Sequence, residues 1–544
     1  MTGASKKDFG GTGLRMNGNK IPLMIGVTGH LNPRKEDLEL LRVAVKRELV
    51  KLREQYPHTP AVMLCALARG GDLLCAEAAE ELGIPLRAVL PMDRDAYEKD
   101  FSPEDLKRMQ HQAERAETVF TVPAAEADPA EESRNFRYRQ AGIYVAEHSQ
   151  ILLALWDGKE GSRFGTGAAV RAALEGAWIP KRGIACRHRE NAGVLHIMTP
   201  LEGDSPEEAG AVRWLGNREI LEDILSKTEE FNQLAEELPE GDHPLLPEDT
   251  GDPEIQKLET LYSAADRLSL RFAQAYRRTL RILAVMGTVT AFSFLLYDEA
   301  NLFFMILLCG ISLVSAMLAA GAAKRMAVHR RYIEYRALAE ALRVQLYLRY
   351  AGSRTETQRI MAWTQQQETP WILCALCAVN AGKAPEQTRD VRESWVEGQR
   401  AYHEKTGKRS AGQSGRNDRL VRIAAICAAT LYFGGLAFEL LCGGLIFAPT
   451  VRVQHIETWR TVLKILLGTV TVGTLFLASS YGQMSVERNR TDHRKMEAFY
   501  AAVGRQMERL GQTEELLETL AREELTENGN WCSYQRDNAP ELNL

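Results

Sequence analysis

The chain lacks several features that would place it in a common class of protein. Its net charge is −5, so it has no basic excess of the kind that accompanies binding to a nucleic acid polymer, and no such partner is expected. Residues 1–20 contain no apolar run, so we expect no cleaved signal peptide there. At 544 residues, the chain is too long for one ordinary domain, and about two to four folding units are expected.

The cysteines form no recognisable disulfide or metal framework. Nine are scattered along the chain, several of them in apolar runs, which is typical of reduced cysteines that pack as small hydrophobic side chains. Cys374 and Cys377 form a CxxC pair, which could belong to a metal site or to a core. No second Cys or His pair lies at zinc spacing, so core packing is favoured and no metal ligand is predicted.

Residues 21–200 alternate short apolar runs with helical patterns. Apolar strands separated by helices form parallel sheets with both faces covered, so we predict an α/β fold with an N-terminal doubly wound, Rossmann-like parallel sheet. The strands are expected at 23–28, 61–66, 84–90, 117–122, 150–156 and 193–198, and the helices at about 36–55, 72–83, 103–116, 132–148 and 166–177.

Three of these strands end in glycine-rich turns. Ligands collect at the carboxyl ends of parallel strands, and glycine allows the backbone to approach an anionic group closely. One such turn is a weak signal, but three together favour a nucleotide-type pocket. The candidate ligand-binding residues are Gly26, Thr28, Gly29 and His30 after the first strand, Arg69, Gly70, Gly71 and Asp72 after the second, and Trp156, Asp157, Gly158, Gly165, Thr166 and Gly167 after the fifth.

Some of these assignments have a structural alternative. Asp72 precedes a predicted helix and could serve only as its N-cap. Residues 135–140 are basic and aromatic, so Arg137 or Arg139 could bind a phosphate while Tyr138 stacks on a base. A solvated helix face is the other interpretation of that segment.

The three motifs resemble those of the SLOG superfamily of Rossmann-like nucleotide-binding domains. They read IGVTGH at 25–30, ALARGGDLLCAEAAEELG at 66–83, and ILLALWDG with GTGAAVRAALE at 151–175. The resemblance implies a nucleotide-derived ligand, either a cyclic oligonucleotide or an ADP-ribose derivative, and no other cofactor. Related phosphoribohydrolases carry a catalytic Glu in a PGGxGTxxE motif, whereas this chain has no acid in the corresponding helical turn. We therefore predict no catalytic residue and expect binding without turnover.

Beyond a Pro- and acid-rich linker at 239–253, the chain contains four long apolar segments. About 20 apolar residues cross a bilayer core as a helix, so we predict an all-α membrane domain with four transmembrane helices and long cytoplasmic helices. A buried helical hairpin in a soluble protein is the less favoured alternative. The apolar segments are 280–297, 302–323, 423–448 and 462–480.

Charges near the apolar segments predict the orientation. Lys and Arg, including Lys324 and Arg325, lie beside the ends that face the long middle connection, whereas the turn at 298–301 has two acids and no base. The positive-inside rule then predicts that both termini and the long middle segment are cytoplasmic. Glu439 could face a pore or a partner, or it could lie near the outer interface if the helix ends early. Small residues crowd the second segment, which suits either close helix packing or association into a homo-oligomer.

Three further stretches resemble SLATT-type membrane modules, namely ADRLSLRFAQAYRR, YRALAEALRVQLYL and SWVEGQRAYH at 394–403. The combination with a SLOG-like domain implies an effector of bacterial anti-phage defence. In such an effector, a nucleotide second messenger binds the cytosolic domain, and the membrane part permeabilises or depolarises the inner membrane. The alternatives are a membrane-tethered nucleotide or NAD hydrolase and a nucleotide-regulated channel or transporter.

Changes in composition divide the chain into seven segments. The apolar pairs and the linker supply the main boundaries. We expect a disordered N-terminus at 1–20, a nucleotide-sensing domain at 21–238, the linker at 239–253, a first two-span unit at 254–350, a cytoplasmic connection at 351–418, a second two-span unit at 419–526 and a tail at 527–544.

Overall fold

The chain forms two compact units in the computed structural model. The first comprises Met1–Ala264 and Ala341–Thr388, and the second comprises Ala265–Glu340 and Arg389–Leu544. Most of the predicted disordered N-terminus and parts of the predicted linker and tail lie outside the described residues. The structure describes residues 18–122, 134–159, 164–179, 183–185, 193–201, 208–239, 245–247, 250–443, 451, 454–483 and 486–537.

The first unit is built on a sheet whose strands form at the apolar runs. The strands are β1 (Leu23–Gly29), β2 (Ala61–Cys65), β3 (Leu86–Leu90), β4 (Thr118–Thr121), β5 (Ile151–Trp156), β6 (Ala177–Ile179), β7 (Gly183–Ala185), β8 (Gly193–Met198) and β9 (Val212–Gly216). Among the described residues, seven of them pair in the order β4-β3-β2-β1-β5-β8-β9, and β6 and β7 form a separate hairpin. The pairs from β4 to β8 are parallel, as predicted.

Helices cover both faces of this sheet, which confirms the doubly wound prediction. The helices are α1 (Leu38–Gln55), α2 (Gly71–Glu81), α3 (Arg94–Tyr97), α4 (Pro103–Arg115), α5 (Arg134–Glu147), α6 (Thr166–Glu175) and α7 (Arg218–Glu236). One face packs against α1, α2, α4 and α7, and the other packs against α5 and α6. β5 is buried along almost its whole length because it lies between these layers.

The edge strand β9 departs from the prediction, which placed no strand after residue 198. β9 pairs antiparallel with β8. It has a neighbour on one side only, and its residues are half-buried or exposed. An edge strand of this kind does not need a continuous apolar run, so the run that marks the inner strands is missing from its sequence.

Part of the connection between the two apolar pairs folds with the sheet. Its helices are α10 (Val328–Tyr350), whose last residues belong to the first unit, α11 (Thr357–Ile360), α12 (Trp363–Glu368) and α13 (Pro370–Val379). Ala378 and Ala381 pack on the sheet face that α5 and α6 also cover. The apolar character of α13, which contains the CxxC pair, therefore reflects packing within the α/β unit.

The second unit is helical. Beyond residue 264 it contains most of α8 (Pro253–Glu299), followed by α9 (Met305–Arg325), the first part of α10, α14 (Gly398–Phe438), α15 (Ile456–Gln483), α16 (Val486–Leu510) and α17 (Glu514–Asp537). In the described part of the chain, four helices are long and apolar enough to cross a membrane, as predicted. α17 extends beyond residue 526, where the tail was predicted to begin. Its buried side chains include Leu525 before that point and Cys532 after it.

The candidate spans pack through small and hydroxyl side chains. A Cβ placed on Gly287 of α8 would lie 2.5 Å from the ring of Phe476 in α15, so glycine lets this ring pack directly against the backbone of α8. The hydroxyl groups of Thr290 in α8 and Ser312 in α9 are hydrogen-bonded at 2.8 Å. The outer faces carry exposed apolar side chains, as expected of helices that contact lipid.

Glu439 lies just beyond α14 and is paired with a base. Both Nε and Nη2 of Arg460, in the first turns of α15, donate to its carboxylate at 2.7 Å. A second ion pair joins Lys464 of α15 to Glu299 at the end of α8, at 2.8 Å. These contacts place Glu439 at the end of the α14–α15 hairpin, which favours the interpretation of an interfacial acid over one at mid-span.

Candidate functional site

A cavity of about 480 Å³ opens at the carboxyl ends of β1 and β2. Thr28 and Gly29 at the end of β1 and the loop after β2 form its floor, and the first turns of α5 and α6 form a wall. After β1 the chain builds β2 to β4 on one side and then returns to β5 on the other. Such a switch in strand order leaves a crevice in which α/β proteins bind ligands.

Several of the predicted glycines allow the loops at this edge to pack closely. A Cβ on Gly29 would lie 2.7 Å from the Cα of Gly71, and one on Gly70, where φ is +82°, would lie 2.4 Å from the carbonyl oxygen of Leu31. A Cβ on Gly26 would lie 2.5 Å from Oγ of Ser149. Gly26, Gly70 and Gly71 are therefore needed for packing, and they are not among the residues that line the cavity.

The loop after β2 contains an unusual backbone conformation. Leu67 is fully buried and adopts a φ of +57°, a region that residues with a side chain rarely occupy. Its neighbours Ala66 and Ala68 both line the cavity. Strain of this kind persists where the surrounding structure enforces it, and it is common at binding sites.

Asp72 lies in the first turn of α2 and lines the cavity. The N-cap of α2 is Gly70, so the prediction of Asp72 as the N-cap is wrong. Its carboxylate instead accepts a hydrogen bond from the backbone N–H of Ala68 at 3.3 Å, and it is only 4% exposed. This burial raises the pKa of Asp72 to about 7, because an ionised carboxylate loses hydration there.

Aromatic rings form one side of the cavity. The rings of Tyr97 and Phe101 meet edge to face with centroids 4.9 Å apart, and Tyr138 lies 6.0 Å from Tyr97. The phenol of Tyr138 donates to the carboxylate of Asp100, which also lines the cavity. Phe164 adds a partly exposed ring to the lining. Flat rings at the edge of a cavity can stack on a planar ligand group.

Helix α5 presents a broad stripe to the cavity. Asn135, Tyr138, Arg139 and Gly142 line it at the i, i+3, i+4 and i+7 spacing of a helix face, and Ala141, Ile143 and Val145 line it on the flanks of that face. Arg137 lies off this stripe and does not line the cavity, so of the two arginines considered from the sequence, the structure brings Arg139 to the site.

Two arginines supply positive charge to the cavity. Arg69 and Arg139 both line it, and neither has a carboxylate partner in the part of the chain that the structure describes. By contrast, Arg34, which also follows β1, is paired with Asp37 at 2.6 Å. Guanidinium groups without a carboxylate partner among the described residues are suited to a phosphate or another anion.

The N-terminus of α6 also faces the cavity. Gly165 is its N-cap and has no side chain that could accept from the first N–H groups. Gly165, Thr166 and Ala168 line the cavity. No acceptor for the N–H groups of Thr166 and Gly167 lies within the described residues, and the partial positive charge of this helix end favours an anion.

The remaining predicted ligand residues hold the turn after β5. The backbone N–H of Asp157 donates to Nε2 of His30 at 3.0 Å, and Nε1 of Trp156 donates to the carbonyl oxygen of Lys159 at 3.1 Å. Gly158 adopts a φ of +79° in this turn. None of these residues, nor Gly167, is among those that line the cavity, so they contribute to its loop framework.

Reasoning from the sequence missed several lining residues. Tyr97, Asp100 and Phe101 carry no motif, and only the path of the chain after β3 brings them to the site. The spacing of a helix face, i, i+3, i+4 and i+7 from Asn135, contains Tyr138 and Arg139 but not Arg137, so this pattern could have selected Arg139 from the sequence. No group of three or more His, Cys, Asp or Glu side chains that could hold a metal occurs among the described residues.

Together these features define an α/β protein with a polar and aromatic cavity at its strand ends, joined to helices long and apolar enough to cross a membrane. Comparison of the chain with protein-family models and with curated proteins found no match.

Proposed function

We propose that the chain is a nucleotide-signal-gated membrane effector of a bacterial anti-phage defence system. In this proposal a nucleotide-derived second messenger binds the cavity on the cytoplasmic side of the inner membrane. The four candidate spans then permeabilise or depolarise that membrane. The proposal draws on the resemblance of the loops to the SLOG superfamily and of the helices to SLATT-type modules, together with the geometry of the cavity.

The cavity has the chemistry that a nucleotide requires. The rings of Tyr138 and Phe164 supply flat surfaces for a base. Arg69, Arg139 and the N-terminus of α6 supply positive charge for phosphate groups. A volume of about 480 Å³ lies within the range of small-molecule pockets, which is about 300 to 1,000 Å³. The same chemistry fits a cyclic oligonucleotide or an ADP-ribose derivative.

The observation that carries the gating proposal is the double role of α5. Its first turns line the cavity, and its last turn holds the segment that connects the two pairs of candidate spans. Nη2 of Arg359 in that segment donates to Glu147 at 2.8 Å. The backbone N–H of Gly382, near the end of the segment, donates to the phenol oxygen of Tyr144 at 3.3 Å.

A buried ionic cluster strengthens this junction. His148 is fully buried, and its Nε2 lies 3.5 Å from Glu356, which is itself paired with Arg359 at 2.6 Å. Burial would raise the pKa of Glu356, but the neighbouring His148 and Arg359 favour the ionised carboxylate and lower its pKa below the usual value. Removing one member of such a cluster leaves a partly buried charge without its partner, so separation of α5 from this segment is disfavoured.

Gating then requires differential binding. A ligand biases the membrane part only if it binds better to the arrangement of α5 in the active state than to that in the resting state. A displacement of α5 would be passed to residues 341–388, which include the end of α10 and precede α14 along the chain. The proposed orientation in the membrane, with the cavity on the cytoplasmic side, is based on Lys324 and Arg325 in the last turn of α9.

The experiment combines binding with leakage. The full chain, purified in detergent, is screened by thermal shift against cyclic dinucleotides, cyclic trinucleotides and ADP-ribose derivatives. It is then reconstituted into dye-loaded vesicles. We expect one class of nucleotide to raise the melting temperature and to trigger dye release. Release that is independent of every nucleotide, in spite of binding, would exclude gating.

A membrane-tethered nucleotide or NAD hydrolase is the second candidate. It is favoured by Asp72, a buried carboxyl in the cavity whose pKa of about 7 suits a general acid or base. Glu175, the one acid of α6, lies exposed at the far end of that helix. Incubation of the full chain with nucleotides and NAD, followed by chromatography of released base, separates the candidates. Base release that Asp72→Asn abolishes would favour the hydrolase.

A further inference from the structure

Six basic side chains lie where the candidate spans leave their apolar segments. All six are exposed, and they form no ion pair in the part of the chain that the structure describes. Along these helices, Asp418 is the only acid within two turns of any of them. We call this set the basic belt. It comprises Arg278 and Arg281 of α8, Lys324 and Arg325 of α9, and Arg419 and Arg422 of α14.

The packing of the candidate spans places the basic belt at one end of the helical bundle. The end of α15 lies beside the first half of the α8 span, where Phe476 packs on Gly287, and its start lies beside the end of α8, where Lys464 pairs with Glu299. α15 is therefore antiparallel to α8. It also packs alongside α14 as the second helix of a hairpin, so α8 and α14 run in the same direction. Their basic residues consequently lie at the same end.

Two bases at the other end of the bundle are already paired. Arg460 forms ion pairs with Glu439 and Glu457 at 2.7 Å, and Lys464 forms one with Glu299 at 2.8 Å. The chain itself supplies the counter-charge for these two bases. The described part of the chain supplies none for the basic belt, so its charge is available to an external anion.

The basic belt borders the apolar surface that would contact lipid. Ile282 and Ile423, which directly follow Arg281 and Arg422, are 46% and 51% exposed. A base next to an exposed apolar side chain at the end of a span lies at the level of the phospholipid headgroups. There its aliphatic stem stays in the acyl boundary while its charge reaches the phosphate. A nucleic acid or an acidic protein would leave the apolar part of this boundary uncovered.

We propose that the basic belt binds the headgroups of anionic phospholipids in preference to zwitterionic ones. Guanidinium groups match the paired oxygens of a phosphodiester. Phosphatidylglycerol carries a net negative charge, whereas phosphatidylcholine balances its phosphate with its own ammonium group, so the belt distinguishes them by charge. The proposal requires that the four helices cross a bilayer, but it does not require that a nucleotide gates them. Either proposal can therefore fail without the other.

Lipid binding to the full chain in detergent, without any nucleotide, tests this proposal. Native mass spectrometry measures the lipids retained after addition of phosphatidylglycerol, or of phosphatidylcholine with the same acyl chains. We expect phosphatidylglycerol to bind about five-fold more tightly or better, and about 0.5 M salt in the incubation to weaken this preference. Equal binding of the two lipids, or a preference that salt leaves unchanged, would overturn the proposal. Tighter binding of a short single-stranded RNA than of phosphatidylglycerol would assign the belt to a nucleic acid instead.

Two double variants of α14 test whether the preference arises at the belt. Arg419→Gln/Arg422→Gln removes two belt charges, and Lys405→Gln/Arg409→Gln removes two exposed charges further from the span in the same helix. Arg409 lies ten residues before Arg419, about 15 Å along the axis and beyond a Debye length at physiological salt. We expect the belt variant to lose about five-fold or more in phosphatidylglycerol affinity and the control variant to stay within about two-fold of wild type. Equal losses in the two variants, or no loss in the belt variant, would contradict the proposal.

Discussion

Arg359 donates a hydrogen bond to Glu147 at 2.8 Å and thereby joins the segment between the two pairs of candidate spans to the helix that lines the cavity. Glu147 is the last residue of α5, and Arg139 and Tyr138 lie on the cavity side two to three turns earlier. A helix is stiff over this length, so a ligand that moves the first turns of α5 also moves this ion pair. The account of gating depends on that connection.

Weakening the junction should uncouple leakage from binding. Tyr144→Phe removes the oxygen that accepts from the N–H of Gly382 but keeps the buried ring, and Arg359→Gln removes the ion pair. We expect both variants to bind the nucleotide within about two-fold of wild type and to lose most nucleotide-triggered dye release. Lys383→Gln, an exposed change in the same segment, is the control. Full nucleotide-dependent release from both junction variants would contradict the coupling.

The two arginines of α5 should differ in their effect on binding. Arg139 lines the cavity and Arg137 does not, so Arg139→Gln should weaken binding of a phosphate-bearing ligand by about ten-fold or more, and Arg137→Gln should have little effect. Isothermal titration of both variants with the same nucleotide measures the difference. Equal losses of nucleotide affinity in the two variants would show that Arg139 does not bind the phosphate.

Asp72 should make the stability of the protein depend on pH. Its pKa is raised from 3.8 to about 7 in the folded state, so its contribution to stability is fully present below pH 4 and is lost as the pH rises through 7. Asp72→Asn removes this loss and should unfold at a higher temperature than wild type at pH 8, with the difference shrinking towards pH 5. The measurement is the thermal unfolding temperature of wild type and of Asp72→Asn between pH 5 and pH 8. A difference that is constant with pH would show that Asp72 does not titrate there.

The ion pair between Glu439 and Arg460 should stabilise the second hairpin. Arg460→Gln leaves the carboxylate without its two hydrogen bonds, so the unfolding midpoint in detergent should fall. Glu439→Gln in the same chain should recover part of the loss, because no unpaired charge remains. The pair of Lys464 and Glu299, whose lysine is more exposed, serves as the comparison. Lys464→Gln should lower the unfolding midpoint by less than Arg460→Gln does. Additive losses in the double variant would show that the two side chains act independently.

The elements of the α/β unit were predictable because local patterns determine them. The inner strands are marked by buried apolar runs, and helices such as α4 by caps and periodicity, so their predicted bounds agree closely with the structure. The edge strand β9 was missed because its residues are half-buried and carry no such run. The left-handed backbone of Leu67 was missed because nothing in the local sequence requires it.

A cavity lies at the edge of the sheet that the glycine motifs indicated, but most of its lining was not predictable from the sequence. Glycine motifs identify the loops, yet Gly70 and Gly71 serve the packing of those loops, while Tyr97 and Phe101 come from a segment without a motif. The partner of Glu439 and the packing of α13 on the sheet depend on contacts between residues far apart in the chain. A single sequence contains no direct record of such contacts.

Gly165 offers a direct test of nucleotide gating. It is the N-cap of α6, and a Cβ there would meet nothing within 4 Å. Gly165→Asp adds a negative charge beside the N–H groups proposed to bind the ligand, whereas Gly165→Ala adds a Cβ without a charge or a hydrogen-bond acceptor. The measurement is dye release from vesicles that contain the full chain, with and without the nucleotide that wild type binds. We predict that wild type and Gly165→Ala release dye only with the nucleotide and that Gly165→Asp stays closed. Equal nucleotide-triggered release from Gly165→Asp and Gly165→Ala, or release without nucleotide in all three proteins, would contradict nucleotide gating.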